Sequence, residues 1–407
     1  MPMNPLSLNW ATSPKLQPFV DEHLARADWQ KLCLRASNLN NGRPCEVLNV
    51  TNAGLNHITR LLRFQDSDAL WVVRIPIKGK DSRLKPACSS GIQAEVDIMR
   101  LLYERTSIGI PRIFDFELTA ENPIGFAFIL MEFLPGNVAM DAFGGWASHH
   151  GAIPSQHRHS LYSSMAKIQV DLTSVRFSKI GIIKRDADGN YEVGPFPDIG
   201  GPFDSAASFT MAWAQSAKFP SSSLRLLAQM EHGNRHDVAQ AIHASVRDFP
   251  GRLKAMVDAK HITLKSGPFP VCHTDLMHSN IVVDNKYKVL GIIDWEGACT
   301  LPWELVEYPL FLDTLPRVFN TPDKYDAKGE PLEADTRQCW NDRKEYLEMV
   351  RSAENTDHRL SESLGDPKGQ SLAYAIRHFN LGKLGFYGRI LDQFSYQDKQ
   401  TNCLDSC

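Results

Sequence analysis

A chain of 407 residues, 43% apolar and 22% charged, has a globular composition and room for two or three compact units, which excludes disordered and fibrous classes. Its formal net charge of -3 gives no basic footprint for nucleic acid, and no basic amphipathic stretch marks a membrane anchor. The start lacks the pattern of a secretory signal, no segment reaches bilayer length, and eight cysteines without a paired rhythm point to reduced thiols in a cytoplasmic protein.

In chain order, "PFVDEHLARADWQKLCLRASNL" reads as helical in part and ends in the turn cluster "NNGRP", a helical extension over 1–44. From Glu46 the texture changes. "EVLNVTNAGLNHITRLLRF" and "LWVVRIPI" alternate as strands do, with turns at "TNAGLN" and "QDSDA". "SGIQAEVDIMRLLYERT" then repeats Ile92, Val96, Met99 and Leu102 at helical spacing, before "IPRIFDFEL" and "GFAFILMEFLPG" return to strand character. Beyond "LPGN" the chain is mainly helical, beginning with "SQHRHSLYSSMAKIQVDL" and later "RQCWNDRKEYLEMVRSA" and "SLAYAIRHFNLGKLGFYGRIL". The interruption "IGIIKRDADGNYEVGPF" is expected as a β-hairpin on "DADGN", which opens like a calcium loop but lacks the later ligands. "GPFPDIGGPFDS" reads as a loop, and Cys272 as an inert core thiol. In the ending "CLDSC", Cys403 lies one place too far from the end for prenylation.

The stretch "HTDLMHSNIVVDNKYKVLGIIDWEGA", residues 273–298, concentrates the chemistry. "IVVD" and "YKVLGIID" flank "NK", which predicts two antiparallel strands on a tight turn. One strand leaves from Asn280 and the other returns to Asp294, so the two side chains meet at the open end. Both offer hard oxygen donors, which suit magnesium better than zinc. Asp275, on the incoming loop, is then placed to act as base toward a hydroxyl nucleophile. An acid beside the nucleophile and two oxygen ligands on magnesium form the set that phosphoryl transfer from ATP requires.

"HTDLMHSN" also resembles the H-x-D-x-x-x-x-N catalytic loop of kinases, and "IIDWEGA" resembles the element that stands for D-F-G in the aminoglycoside phosphotransferase and choline kinase group, including its fungal members. The resemblance covers roughly residues 46 to 310. It implies an α+β, protein-kinase-like bilobal fold, with a small antiparallel-sheet N-lobe over 45–134 and a larger, mainly helical C-lobe over 135–407. By the same resemblance, Asp275 orients or deprotonates the acceptor hydroxyl, His273 braces the loop, and Asn280 and Asp294 hold Mg2+. Gly54 and Asn56 fall on the strand-turn-strand over the ATP phosphates, and Arg74 of "WVVRI" stands where kinases have lysine, with Glu95 as its partner. The backbone of Glu132 and Leu134 becomes the hinge that bonds adenine. A short passage from Asp294 into helices, without a long activation segment, fits a small-molecule hydroxyl acceptor. No protein partner is implied.

Two other readings share these residues. A nucleotide-binding pseudokinase without transfer would account for Arg74 and a turn with one glycine, and a metallohydrolase could use His273, Asp275 and His278.

Overall fold

The structure is a computed structural model that describes residues 15–395 apart from 55, 66–68, 78–90, 146–147, 149, 151, 232–235 and 356. The expected turn "QDSDA" lies partly, and the "CLDSC" ending wholly, outside the described residues.

Helices α1 (Gln17–Leu24) and α2 (Trp29–Leu39) form the extension, with the Asp28 carboxylate capping α2 through the Lys31 amide at 3.1 Å. Five strands follow as one antiparallel sheet: β1 (Cys45–Ala53), β2 (His57–Phe64), β3 (Leu70–Pro76), β4 (Ile113–Glu117) and β5 (Phe128–Glu132), in the order β1-β2-β3-β5-β4. Helix α3 (Gly91–Arg105) lies between β3 and β4 in the chain. Strand alternation decides what each face meets. Trp71, Val73 and Ile75 of β3, with Phe128 and Leu130 of β5, share a core with Val20, Leu32 and Ala36 of the first two helices. Val72, Ile129 and Met131 point the other way, to Val96, Met99 and Leu102 of α3. That second face is also where Arg74 must project.

The remaining chain is mostly helical, with the two expected hairpins and, among the described residues, four further short strands that its sequence did not announce. Strand β6 (Asn137–Val138) is followed by α4 (Ser155–Ser174), β7 (Arg176–Phe177), β8 (Gly181–Arg185) and β9 (Tyr191–Gly194). β8 and β9 are the expected hairpin, closed by Asp186 and Asn190, whose backbone groups bond at 2.9 Å. Helices α5 (Ala206–Ser216), α6 (Ser221–Glu231) and α7 (His236–Asp258) lead to β10 (Phe269–Cys272), β11 (Ile281–Val283), β12 (Val289–Ile292) and β13 (Cys299–Thr300). Helices α8 (Ala334–Ala353), α9 (Arg359–Gly365), α10 (Pro367–Asn380) and α11 (Tyr387–Ser395) finish the described chain.

Two expectations need correction. The stretch "SLAYAIRHFNLGKLGFYGRIL" does not run as one helix: Gly382 at φ 76 ends α10, and the Gly382 and Lys383 amides return to the carbonyls of Phe379 and His378. The turn of the 281–292 hairpin is not the pair "NK" but the five residues 284–288, in which Asp284 Oδ1 accepts from the Lys286 and Lys288 amides at 2.8 and 2.9 Å. Side-chain bonding by an aspartate here replaces the tight turn that the dipeptide suggested. Cys272 is buried, as expected.

Candidate active site

Two antiparallel pairings build the site. β10 pairs with β13 through Cys272 opposite Cys299, so the chain leaves the sheet at His273 beside the place where it returns after Glu296. β11 pairs with β12 through Ile281 opposite Ile292, and the Ile293 amide bonds the Asn280 carbonyl at 2.9 Å. Loops 273–280 and 293–298 are therefore held side by side at both ends. Buried β-branched and aliphatic residues supply that rigidity, because all of β10 and β11 lies in the core.

Within the first loop His273 is nearly buried. Its Nδ1 accepts from the Asp275 amide at 3.1 Å, which leaves Nε2 as the donor to the Ile293 carbonyl at 3.1 Å. Burial holds its pKa below the usual 6.5, in keeping with a neutral ring. The ring also packs on Trp295, 4.7 Å between centroids. Asp275 itself is exposed. Asn280 Nδ2 donates to the Asp275 carbonyl at 2.8 Å and to its Oδ2 at 3.0 Å, so the Asn280 amide oxygen is the atom left for a cation.

Asp294 sits at φ 61, in the left-handed region that aspartate tolerates better than most residues. Its Oδ1 accepts from Arg74 Nη2, whose guanidinium also bonds Glu95 of α3 and lies 3.0 Å from His57 Nδ1. Arg74 and Glu95 are both buried. Burial opposes the charge on each; for Arg74 the carboxylates of Glu95, Asp294 and Glu296 outweigh it, whereas burial pushes Glu95 up to about 7.

Asn280 and Asp294, with Arg74, Gly54, Asn56, Glu132 and Leu134, line one cleft of about 460 Å3 between the five-stranded sheet and the C-terminal region. A Cβ added to Gly54 would meet nothing within 4 Å, so no neighbour in the chain demands glycine there. The Glu132 amide is already bonded to the Arg112 carbonyl at 2.8 Å, so that amide is not open to a ligand. A larger cavity, about 580 Å3, lies elsewhere and includes none of the motif residues. The hydrolase trio is not assembled as a metal site: both His273 nitrogens are engaged, Nδ1 by the Asp275 amide and Nε2 by the Ile293 carbonyl. Among the described residues, the histidine-acid group with mutually close ligand atoms is instead His57, Asp294 and Glu296.

The model of the phosphotransferase enzyme family matches residues 57–303, more than half of the chain. The protein belongs to that family. Its kinase-like α+β fold, an N-terminal antiparallel sheet followed by a mainly helical region, is the one the sequence predicts. Altered inheritance of mitochondria protein 9, mitochondrial, from Saccharomyces cerevisiae is 20% identical over 390 residues, 81% of this chain and 60% of that protein. Clavilactone A biosynthesis cluster protein Y from Ampulloclitocybe clavipes is 24% identical over 282 residues, 65% of this chain and 61% of that protein. The chain thus spans about 60% of the length of the curated relatives it matches. Among solved structures, Plasmodium vivax ethanolamine kinase is 12% identical at a TM-score of 0.47, covering 95% of this chain and 89% of that one. The aminoglycoside phosphotransferase APH(4)-Ia is 12% identical at 0.45, covering 90% and 96%.

Three residues of this family member escaped the sequence reading. His57 begins β2, and Glu296 follows Asp294 by two residues in "DWE"; His57 Nε2 and Glu296 Oε2 lie 3.6 Å apart. Asp141 lines the cleft, and burial raises its pKa. Glu296 was legible as a second acid inside an element already singled out, and His57 shares a strand face with Thr59, another cleft residue. Asp141 carries no local signal.

Proposed function

We propose that the protein is an ATP- and magnesium-dependent phosphotransferase that moves the γ-phosphoryl group to a hydroxyl of a small molecule. One observation carries this reading: Asp275, Asn280 and Asp294 are joined through the Asn280 side chain and the Ile293 amide at the edge of a nucleotide-sized cleft. The donor set fits magnesium, because Asn280 and Asp294 contribute hard oxygens and no thiolate is near. A magnesium ion held there supplies neutralisation of phosphate charge. Arg74 adds a fixed positive charge at the same end of the cleft. Leu134, through its amide, and Glu132, through its carbonyl, suit the two polar positions of an adenine edge. Asp275 accepts the proton of the acceptor hydroxyl, held in place by His273 and Asn280. In such chemistry positioning is the main contribution, of order 7–11 kcal/mol.

The test is magnesium-ATP consumption and phosphoryl transfer across a panel of alcohols. Asp275→Ala should lower turnover by about a hundredfold to ten-thousandfold with nucleotide affinity nearly unchanged. Equal turnover would remove Asp275 from the reaction, and ATP binding without transfer to any acceptor would favour a pseudokinase.

A further inference from the structure

The loop that carries Asp275 also borders a second cavity. His273, Thr274 and Leu276, which flank Asp275, form one wall, whereas Ser279 and Asn280 at the end of the same loop line the nucleotide cleft. The opposite wall belongs to the helical region and includes Leu172, Phe209, Trp213 and Ile376. Its volume is about 150 Å3. An apolar cavity of that order accommodates one benzene-sized ring.

The acid-base pair on its described walls, Glu307 and Arg377, is internally cancelled: Arg377 donates through Nε to both Glu307 oxygens at 3.1 and 2.9 Å, while Asp313, 2.8 Å from Arg377 Nη2, stands outside the lining. Gln169 is committed at both ends, donating to the Glu307 carbonyl and accepting from the Tyr346 hydroxyl, each at 2.8 Å. A cationic guest would have to separate a buried ion pair to find an anion, at a cost its own desolvation increases. An uncharged hydrocarbon ring meets no such penalty.

We propose that this cavity is the acceptor pocket and that it takes an uncharged alcohol built on a single apolar ring, in preference to polycationic or quaternary-ammonium alcohols. The inference rests on the phosphotransferase reading for the reaction, but not for the binding. In the transfer, the acceptor oxygen bonds the γ-phosphorus as its proton passes to Asp275. The bond from that phosphorus to the β–γ bridging oxygen breaks, and ADP leaves with the electron pair.

The experiment measures binding of benzyl alcohol, cyclohexanol, choline and kanamycin to the full chain by calorimetry, and transfer from magnesium-ATP in parallel. Ala373→Leu fills the cavity from α10, and Leu381→Glu places a charge at a 40% exposed lining position where folding is not at stake. The neutral probes should bind, and each variant should weaken them at least tenfold with magnesium-ATP affinity unchanged. Binding of choline or kanamycin but not of the neutral probes, or neutral binding unmoved by both variants, overturns the assignment. Neutral probes that bind and respond to both variants, yet accept no phosphate while ATP is bound, support the pocket and refute the phosphotransferase reading separately.

Discussion

Arg74 shows how a single side chain joins the five-stranded sheet, helix α3 and the 293–298 loop. Strand alternation sends it away from Trp71 and Val73, and its planar fork then reaches Glu95, His57 and Asp294 together. Lysine, a single point charge, could not serve three partners in that geometry. Removing one member of a buried pair typically costs about 3–5 kcal/mol, because the other is left uncompensated. Glu95, already raised by burial, can partly escape by taking a proton, so Arg74→Met should destabilise by about 3 kcal/mol in urea unfolding. Arg74→Met combined with Glu95→Leu should recover most of that loss. A single variant indistinguishable from the parent would show that the pair is not buried as described.

At the scale of elements, the hairpin β11–β12 sets where Asn280 and Asp294 stand, and a close crossing fixes the hairpin. The Ile292 amide bonds the Gly109 carbonyl at 2.9 Å, and a Cβ on Gly291 would approach that oxygen to 2.3 Å. Backbone cannot yield as a flexible side chain can. Gly291→Ala should therefore destabilise by about 1–3 kcal/mol and weaken magnesium-ATP binding, since Asp294 follows three residues later; a parental melting temperature with parental affinity would contradict this. The hairpin itself was legible because "IVV" and "VLGII" are β-branched and apolar, and their pairing places Asn280 beside Ile293, one residue before the Asp294 that the sequence reading sets opposite it. Its five-residue turn was not, because Asp284 bonds backbone amides that no pattern of hydrophobicity records. Strands of two residues such as β6 and β13 are equally silent, being too short to show alternation. In the site, the motif residues of one continuous stretch could be read directly, whereas His57 and Asp141 join only through tertiary packing.

Over the whole molecule, a sheet with cores on both faces presents Arg74 to a cleft that Asn280 and Asp294 line from the C-terminal region. The second cavity borders the residues that flank Asp275, so the loop 273–280 lines two spaces of unequal size, one of nucleotide size and the other small and apolar. Among the described residues no helix is long and apolar enough to cross a membrane. The arrangement makes the cation site the feature on which the account turns, because without it the cleft could bind a nucleotide but not orient its terminal phosphate. Calorimetric titration of ATP with and without magnesium, on the parent and on Asp294→Ala, tests it most directly. The account predicts that magnesium strengthens ATP binding to the parent and that this increment disappears in the variant; an increment of the same size in both would contradict it.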